Sequence, residues 1–126
     1  MAKILVIDDC RMMRLYLRRC LEKAGHEVEE WAPGSAMEIL ELVAGLKPDL
    51  VLCDYLMAGA NGATVARMVR KADPEVPLLV ITAFQEDQMA SHLLRLGVRR
   101  VLDKPIRHED LAQAVEEALK PVPLEA

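Results

Sequence analysis

Hydrophobic positions in this chain follow two rhythms that alternate along its length. Three runs are apolar without interruption: Ile4-Leu5-Val6-Ile7, Leu50-Val51-Leu52-Cys53 and Leu78-Leu79-Val80-Ile81. A fourth, Val98 to Leu102, is broken by two arginines, and Glu27-Val28-Glu29-Glu30 is more polar still. The uninterrupted runs predict strands buried on both faces, and the polar one predicts a sheet edge. Between these runs the apolar spacing turns helical. Met13, Leu17, Cys20, Leu21 and Ala24 mark a first helix closed by Gly25. Beyond the Pro33-Gly34 turn, Ser35 with Glu38 makes a capping box for a second helix, which carries Ile39, Leu40 and Val43 and stops near Gly45. Val65, Met68 and Val69 mark a third, ended by Asp73-Pro74. A fourth, from Asp87 to Leu96, turns Met89, Leu93 and Leu94 inward and ends at Gly97; the last runs from His108 to Leu119.

Five strands alternating with five helices predict an α/β, doubly wound five-stranded parallel sheet of flavodoxin-like order 2-1-3-4-5, with helices on both faces. One domain is expected over residues 1–120, with 121–126 as a short C-terminal tail. The start at Met1 and the short tail read as those of a complete chain.

Composition narrows the function. The chain has 126 residues, 52% of them hydrophobic and 29% charged, which suits a globular domain with a real core. A net charge of −4 and sparse aromatics argue against nucleic acid as a partner. No segment has the length of a membrane span and no signal-peptide layout is present, so a cytoplasmic location is expected. Cys10, Cys20 and Cys53 lack metal-binding spacing and read as buried, reduced thiols; His26, His92 and His108 read as surface or capping residues.

The chemistry lies where the strands end. Asp8 and Asp9 follow the first strand, Asp54 the third, Thr82 the fourth and Lys104 the fifth. The predicted topology gathers all five at the carboxyl edge of one sheet, where open α/β folds bind ligands. Each has a plainer reading: Asp8 and Asp9 as helix caps, Thr82 as another cap, Lys104 as a solvated lysine. Five suitable residues at four strand ends are harder to ascribe to capping. Three carboxylates at one site repel, and a hard divalent cation resolves this; Mg2+ fits because it needs few protein ligands beside water and a phosphoryl oxygen. A carboxylate flanked by a metal and a lysine is equipped to form an aspartyl phosphate.

With these residues in place, the sequence resembles a response-regulator receiver domain of the single-domain, chemotaxis-regulator kind, over roughly Ala2 to Leu119. The likeness rests on Ile4 to Asp9, on Pro48 to Asp54 with Met57 and Gly62, on Ile81-Thr82-Ala83 and on Lys104-Pro105. It implies that Asp54 accepts a phosphoryl group from a sensor histidine kinase or a histidine phosphotransferase, in two-component or phosphorelay signalling. It also implies Mg2+ held by Asp8, Asp9, Asp54 and the Leu56 backbone carbonyl, with Thr82 as switch hydroxyl and Lys104 on the phosphate. The Lys104-Pro105 bond is expected to be cis, the first helix to dock the phosphodonor, and the product to be a conformational signal to a downstream target protein. No enzymatic output is implied beyond self-catalysed phosphoryl transfer and slow autodephosphorylation.

Four positions depart from the family pattern. Val101 stands where an aromatic switch residue is usual, Ala58 where a proline is usual, and Leu56 and Phe84 put apolar side chains beside the phosphoryl group. The last two predict poor access for water and a long-lived phosphoryl state. Val101 opens an alternative, a non-switching receiver recognised whatever its phosphorylation state. A haloacid-dehalogenase-like phosphatase needs an acid where Leu56 stands, and a flavin or nucleotide binder needs a phosphate cradle where Asp8-Asp9 stand.

Overall fold

The uninterrupted apolar runs become the middle of a sheet because each of their side chains has a covered face to enter. In the computed structural model, which describes residues 2–32, 34–57, 60–83 and 86–120 (backbone alone for Leu56 and Ala60), the main strands are β1 (Lys3–Ile7), β2 (Glu27–Trp31), β3 (Leu50–Asp54), β4 (Leu78–Thr82) and β5 (Arg100–Asp103). They form a parallel sheet in the order β2-β1-β3-β4-β5. The helices are α1 (Arg11–Lys23), α2 (Ala36–Leu46), α3 (Gly62–Ala72), α4 (Asp87–Arg95) and α5 (His108–Leu119). A two-residue ribbon, Leu56–Met57 against Ala60–Asn61, precedes α3.

Strand alternation divides the core into two layers. Ile4, Val6, Leu50 and Leu52 pack with Leu17 and Leu21 of α1 and with Leu111 and Val115 of α5. Leu5, Ile7, Val51 and Cys53 pack with residues of α2, α3 and α4 on the other face. β3 is buried at every position, as a central strand covered on both sides must be. The polar strand is an edge, as its glutamates predict. That edge is not left bare: Arg14 and Arg18 of α1 reach Glu30 of β2 at 3.3 and 2.7 Å.

Several local expectations change. α2 runs through Gly45 and stops at Lys47, which takes φ +49°. The next residue is Pro48, whose ring disfavours the right-handed helical region for the residue before it. Leu94 is 51% exposed; the inward stripe of α4 is Met89, Leu93 and Leu96, and Leu94 lies about a quarter turn away from it. Ala24 is exposed because α1 ends before it, and Gly25 at φ +95° makes the turn. Cys10 is exposed as the residue preceding α1, while Cys20 and Cys53 are buried as expected. His26 is buried, not superficial: its Nδ1 accepts from the Ala2 N–H at 3.2 Å, tying the start of β1 to the turn before β2.

A left-handed backbone costs a β-carbon-bearing residue about 1–2 kcal/mol, against about 0.5–1 kcal/mol for a glycine's lost entropy. Lys47→Gly is therefore expected to stabilise the fold by up to about 1 kcal/mol in urea denaturation. A loss of stability would contradict this account of the α2 terminus.

Candidate functional site

Two strands deliver three acids to one point because β1 and β3 are hydrogen-bonded neighbours ending at the same level. Ile7 pairs with Cys53, so the next residues, Asp8 and Asp54, leave the sheet side by side. Carboxylate oxygens of Asp8, Asp9 and Asp54 all lie within 4.8 Å of one another. Asp8 and Asp54 are buried and Asp9 is exposed. Lys104, one residue beyond β5, places Nζ 2.9 Å from Asp54 Oδ1 and 4.0 Å from Asp8 Oδ2. Thr82 ends β4, is 2% exposed, and accepts the Lys104 backbone N–H on its carbonyl at 2.8 Å. The Lys104–Pro105 bond is cis.

Asp8 is held from three sides. Its N–H donates to the Trp31 carbonyl at 3.2 Å, its Oδ1 accepts from the Cys10 N–H at 2.8 Å, and its carbonyl accepts from Arg14 Nη1 at 2.7 Å. Oδ2 is buried without a hydrogen bond. A bare carboxylate oxygen in a buried site is costly unless a cation meets it. The donor set is oxygen only, which suits a hard cation such as Mg2+. Burial raises the Asp8 carboxyl above its usual range, with Asp54 and Asp9 adding to the effect and the Cys10 N–H and Lys104 opposing it. Burial also pushes the Cys53 thiol up, leaving it protonated and poor as a nucleophile beside Asp54.

The sequence-predicted residues Asp8, Asp9, Asp54 and Lys104 thus meet in space, and Thr82 stands at the adjoining strand end. Val101 is half-buried against the core layer shared with α4. Leu56 lies in the ribbon just past Asp54. Ala58, Phe84 and the tail 121–126 fall outside the described residues. Two further contacts support the site. One is Arg14 over the acidic turn; the other is Tyr16, whose hydroxyl donates to the Ile106 carbonyl at 2.7 Å and pins the loop after Lys104 to α1. Neither has a sequence signal beyond facing back toward the sheet edge from the first turns of α1.

Fold and site together define a class: a doubly wound α/β domain whose switch point carries three acids and a lysine. Residues 4–116 match the family model described as the response regulator receiver domain, and the chain belongs to that family. It is 29% identical over 118 residues to the chemotaxis protein CheY of Thermotoga maritima, covering 94% of this chain and 98% of that one. It is 35% identical to the positive alginate biosynthesis regulatory protein of Pseudomonas aeruginosa, of which it spans only 47%. Among solved structures, the receiver domain of the response regulator NarL from Mycobacterium tuberculosis superposes with a TM-score of 0.84 at 29% identity, covering 94% and 95% of the two chains. CheY4 of Vibrio cholerae gives 0.84 at 26% identity, covering 94% and 98%. Receiver domains of this kind are in general signalling modules of two-component systems and not enzymes in their own right. Among the described residues no helix is long and apolar enough to cross a membrane.

The raised Asp8 carboxyl has a definite sign in the metal-free protein. The folded chain holds this proton to higher pH than the unfolded chain. The contribution of Asp8 to stability is therefore fully present below its unfolded value and lost as pH rises through its folded value. Asp8→Asn, which keeps the Oδ1 acceptor, is expected to unfold at higher urea than wild type near neutral pH in chelator, the gain vanishing in acid. Wild type alone should then recover with Mg2+, by about 2.7 kcal/mol at about a hundredfold excess over Kd. A less stable Asp8→Asn in chelator would contradict the strain assigned to Oδ2.

Proposed function

We propose that this chain is a response regulator whose Asp54 accepts a phosphoryl group from the phosphohistidine of a sensor histidine kinase or histidine phosphotransferase. The observation that carries the reading is the Lys104 ammonium, 2.9 Å from Asp54 Oδ1 and flanked by the bare Oδ2 of buried Asp8. An Asp54 oxygen attacks phosphorus, the new O–P bond forms as the P–N bond to the donor histidine breaks, and the histidine leaves with its electron pair. Asp8, Asp9 and Asp54 are suited to hold Mg2+, with the Leu56 carbonyl as a fourth protein ligand. When bound, the ion neutralises charge on the phosphoryl oxygens. Lys104 transfers its contact from the carboxylate to a phosphoryl oxygen, and the Thr82 hydroxyl turns toward the same group.

The output is a conformational change read by a downstream target protein, in the cytoplasm. Val101 is already packed and too stiff to report by a large side-chain swing. The Lys104–Thr82 backbone hydrogen bond offers another route, linking the ends of β4 and β5. A phosphorylation-independent interaction module would leave the acid–lysine geometry without a role. The phosphodonor docks on the outer face of α1, where Arg11, Met12, Leu15, Tyr16 and Arg19 are exposed beside the acidic turn. Arg14 and Arg18 are not available to it, being engaged with Glu30.

Intact mass after incubation with Mg2+ and a small phosphodonor such as acetyl phosphate is expected to rise by one phosphoryl group. Asp54→Asn and metal-free protein should gain none. Failure of phosphorylated histidine kinases as well as small donors to modify wild type would overturn the reading. The adduct is expected to be long-lived in buffer, because Leu56 and Phe84 are apolar at the two sequence positions that flank the phosphoryl group in the family; its rapid loss from purified protein would contradict that part.

A further inference from the structure

Arg14 is the one basic side chain that touches the main chain of the acidic turn among the contacts described above, and its geometry is specific. Nη1 donates to the Asp8 carbonyl at 2.7 Å while Nε faces Glu30 Oε1 at 3.3 Å. The side chain is 15% exposed, so these bonds are largely shielded from water. Glu30 is in turn fixed by Arg18, whose Nη1 lies 2.7 Å from the other carboxylate oxygen. Hydrogen bonds from Arg18 and then Arg14 hold the Glu30 carboxyl below its usual range, so it stays charged. With Trp31 on its N–H, Cys10 on Oδ1 and Arg14 on its carbonyl, Asp8 has a single polar atom left over, Oδ2.

We propose that Arg14 is a positioning residue for the divalent-cation site. Its guanidinium locks the main chain of the Asp8–Asp9 turn so that the carboxylates are set before the cation arrives, and Glu30 on the edge strand holds it in that pose. This inference rests on the acidic pocket being a cation site, as proposed above. A turn already fixed from β2, from α1 and from its own N-terminal helix flank loses little freedom on binding, which is where preorganisation gains affinity. The task needs two donors in a rigid fork aimed at two acceptors, which arginine supplies and lysine does not. A lone guanidinium this close would also repel a cation. Glu30 offsets that charge, which explains why the brace is a pair and not a single residue.

The test uses the full chain and Mg2+ alone, titrated against the fluorescence of Trp31, the only tryptophan in the sequence, whose carbonyl receives the Asp8 N–H. Thermal shifts with Mg2+ serve as a second readout. Arg14→Met and Arg14→Lys are each expected to raise the Mg2+ Kd by about tenfold, the usual effect of removing an outer-sphere support. Arg18→Met is the control: it breaks the same edge-strand network but not the contact with Asp8, so it should lower Tm and leave Kd unchanged. Equal weakening in the Arg14 and Arg18 variants would mean a merely structural role and overturn the inference. So would unchanged affinity in Arg14→Lys with tighter binding in Arg14→Met, which would show Arg14 acting only as a repelling charge. No Mg2+ binding by wild type in either readout would sink the cation-site reading itself, a failure distinguishable from these.

Discussion

Two buried carboxylates and a third beside them, gathered at one sheet edge, are the constraint on which this structure turns. Like charges within 4.8 Å in a partly dry site repel strongly, and the fold answers with one lysine and a set of backbone donors. Lys104 takes one oxygen of Asp54 and stands at 4.0 Å from Asp8. The compensation is incomplete. One oxygen of Asp8 is left buried and bare, and that residual imbalance is what fits the site to a cation and, beyond it, to a phosphoryl group.

The sheet makes the convergence unavoidable. Parallel strands in register end at one level, so the residue after each apolar run is delivered to the same edge. Both core layers hold the strands in that register, and any slip would carry an acid into the interior. Helix α1 has a second task besides covering the sheet. From its first two turns it reaches back to the Asp8 carbonyl through Arg14 and to the loop after Lys104 through Tyr16. The negative and positive sides of the site are thus tied to one rigid rod, and a partner that docks on α1 sits on the element that spans both.

The architecture was legible because buried parallel strands leave an unmistakable trace: Leu50 to Cys53 and Leu78 to Ile81 have no polar position at which to doubt the assignment. Asp8 and Asp54 were legible because each sits immediately after such a run, and Asp9 and Lys104 because each lies one residue further along, Lys104 past the broken run Val98 to Leu102. What escaped was whatever depends on side chains crossing between elements. Arginines on an amphipathic helix look solvated, yet Arg14 and Arg18 are bound to Glu30. His26 looked superficial because nothing local shows that the Ala2 N–H needs an acceptor. Gly45 looked like a helix end because glycine often is one, and the proline three residues later governed instead. Leu94 looked buried because its hydrophobicity says nothing about which side of the helix it faces.

The most direct test of the central claim is to locate the modified residue. Borohydride converts the acyl phosphate of an aspartate to homoserine, which tandem mass spectrometry places in the sequence. After phosphorylation in Mg2+, homoserine is expected at position 54 and nowhere else. Homoserine at position 8 or 9, or none in protein that has gained a phosphoryl mass, would contradict the assignment of Asp54 as the acceptor held by Lys104.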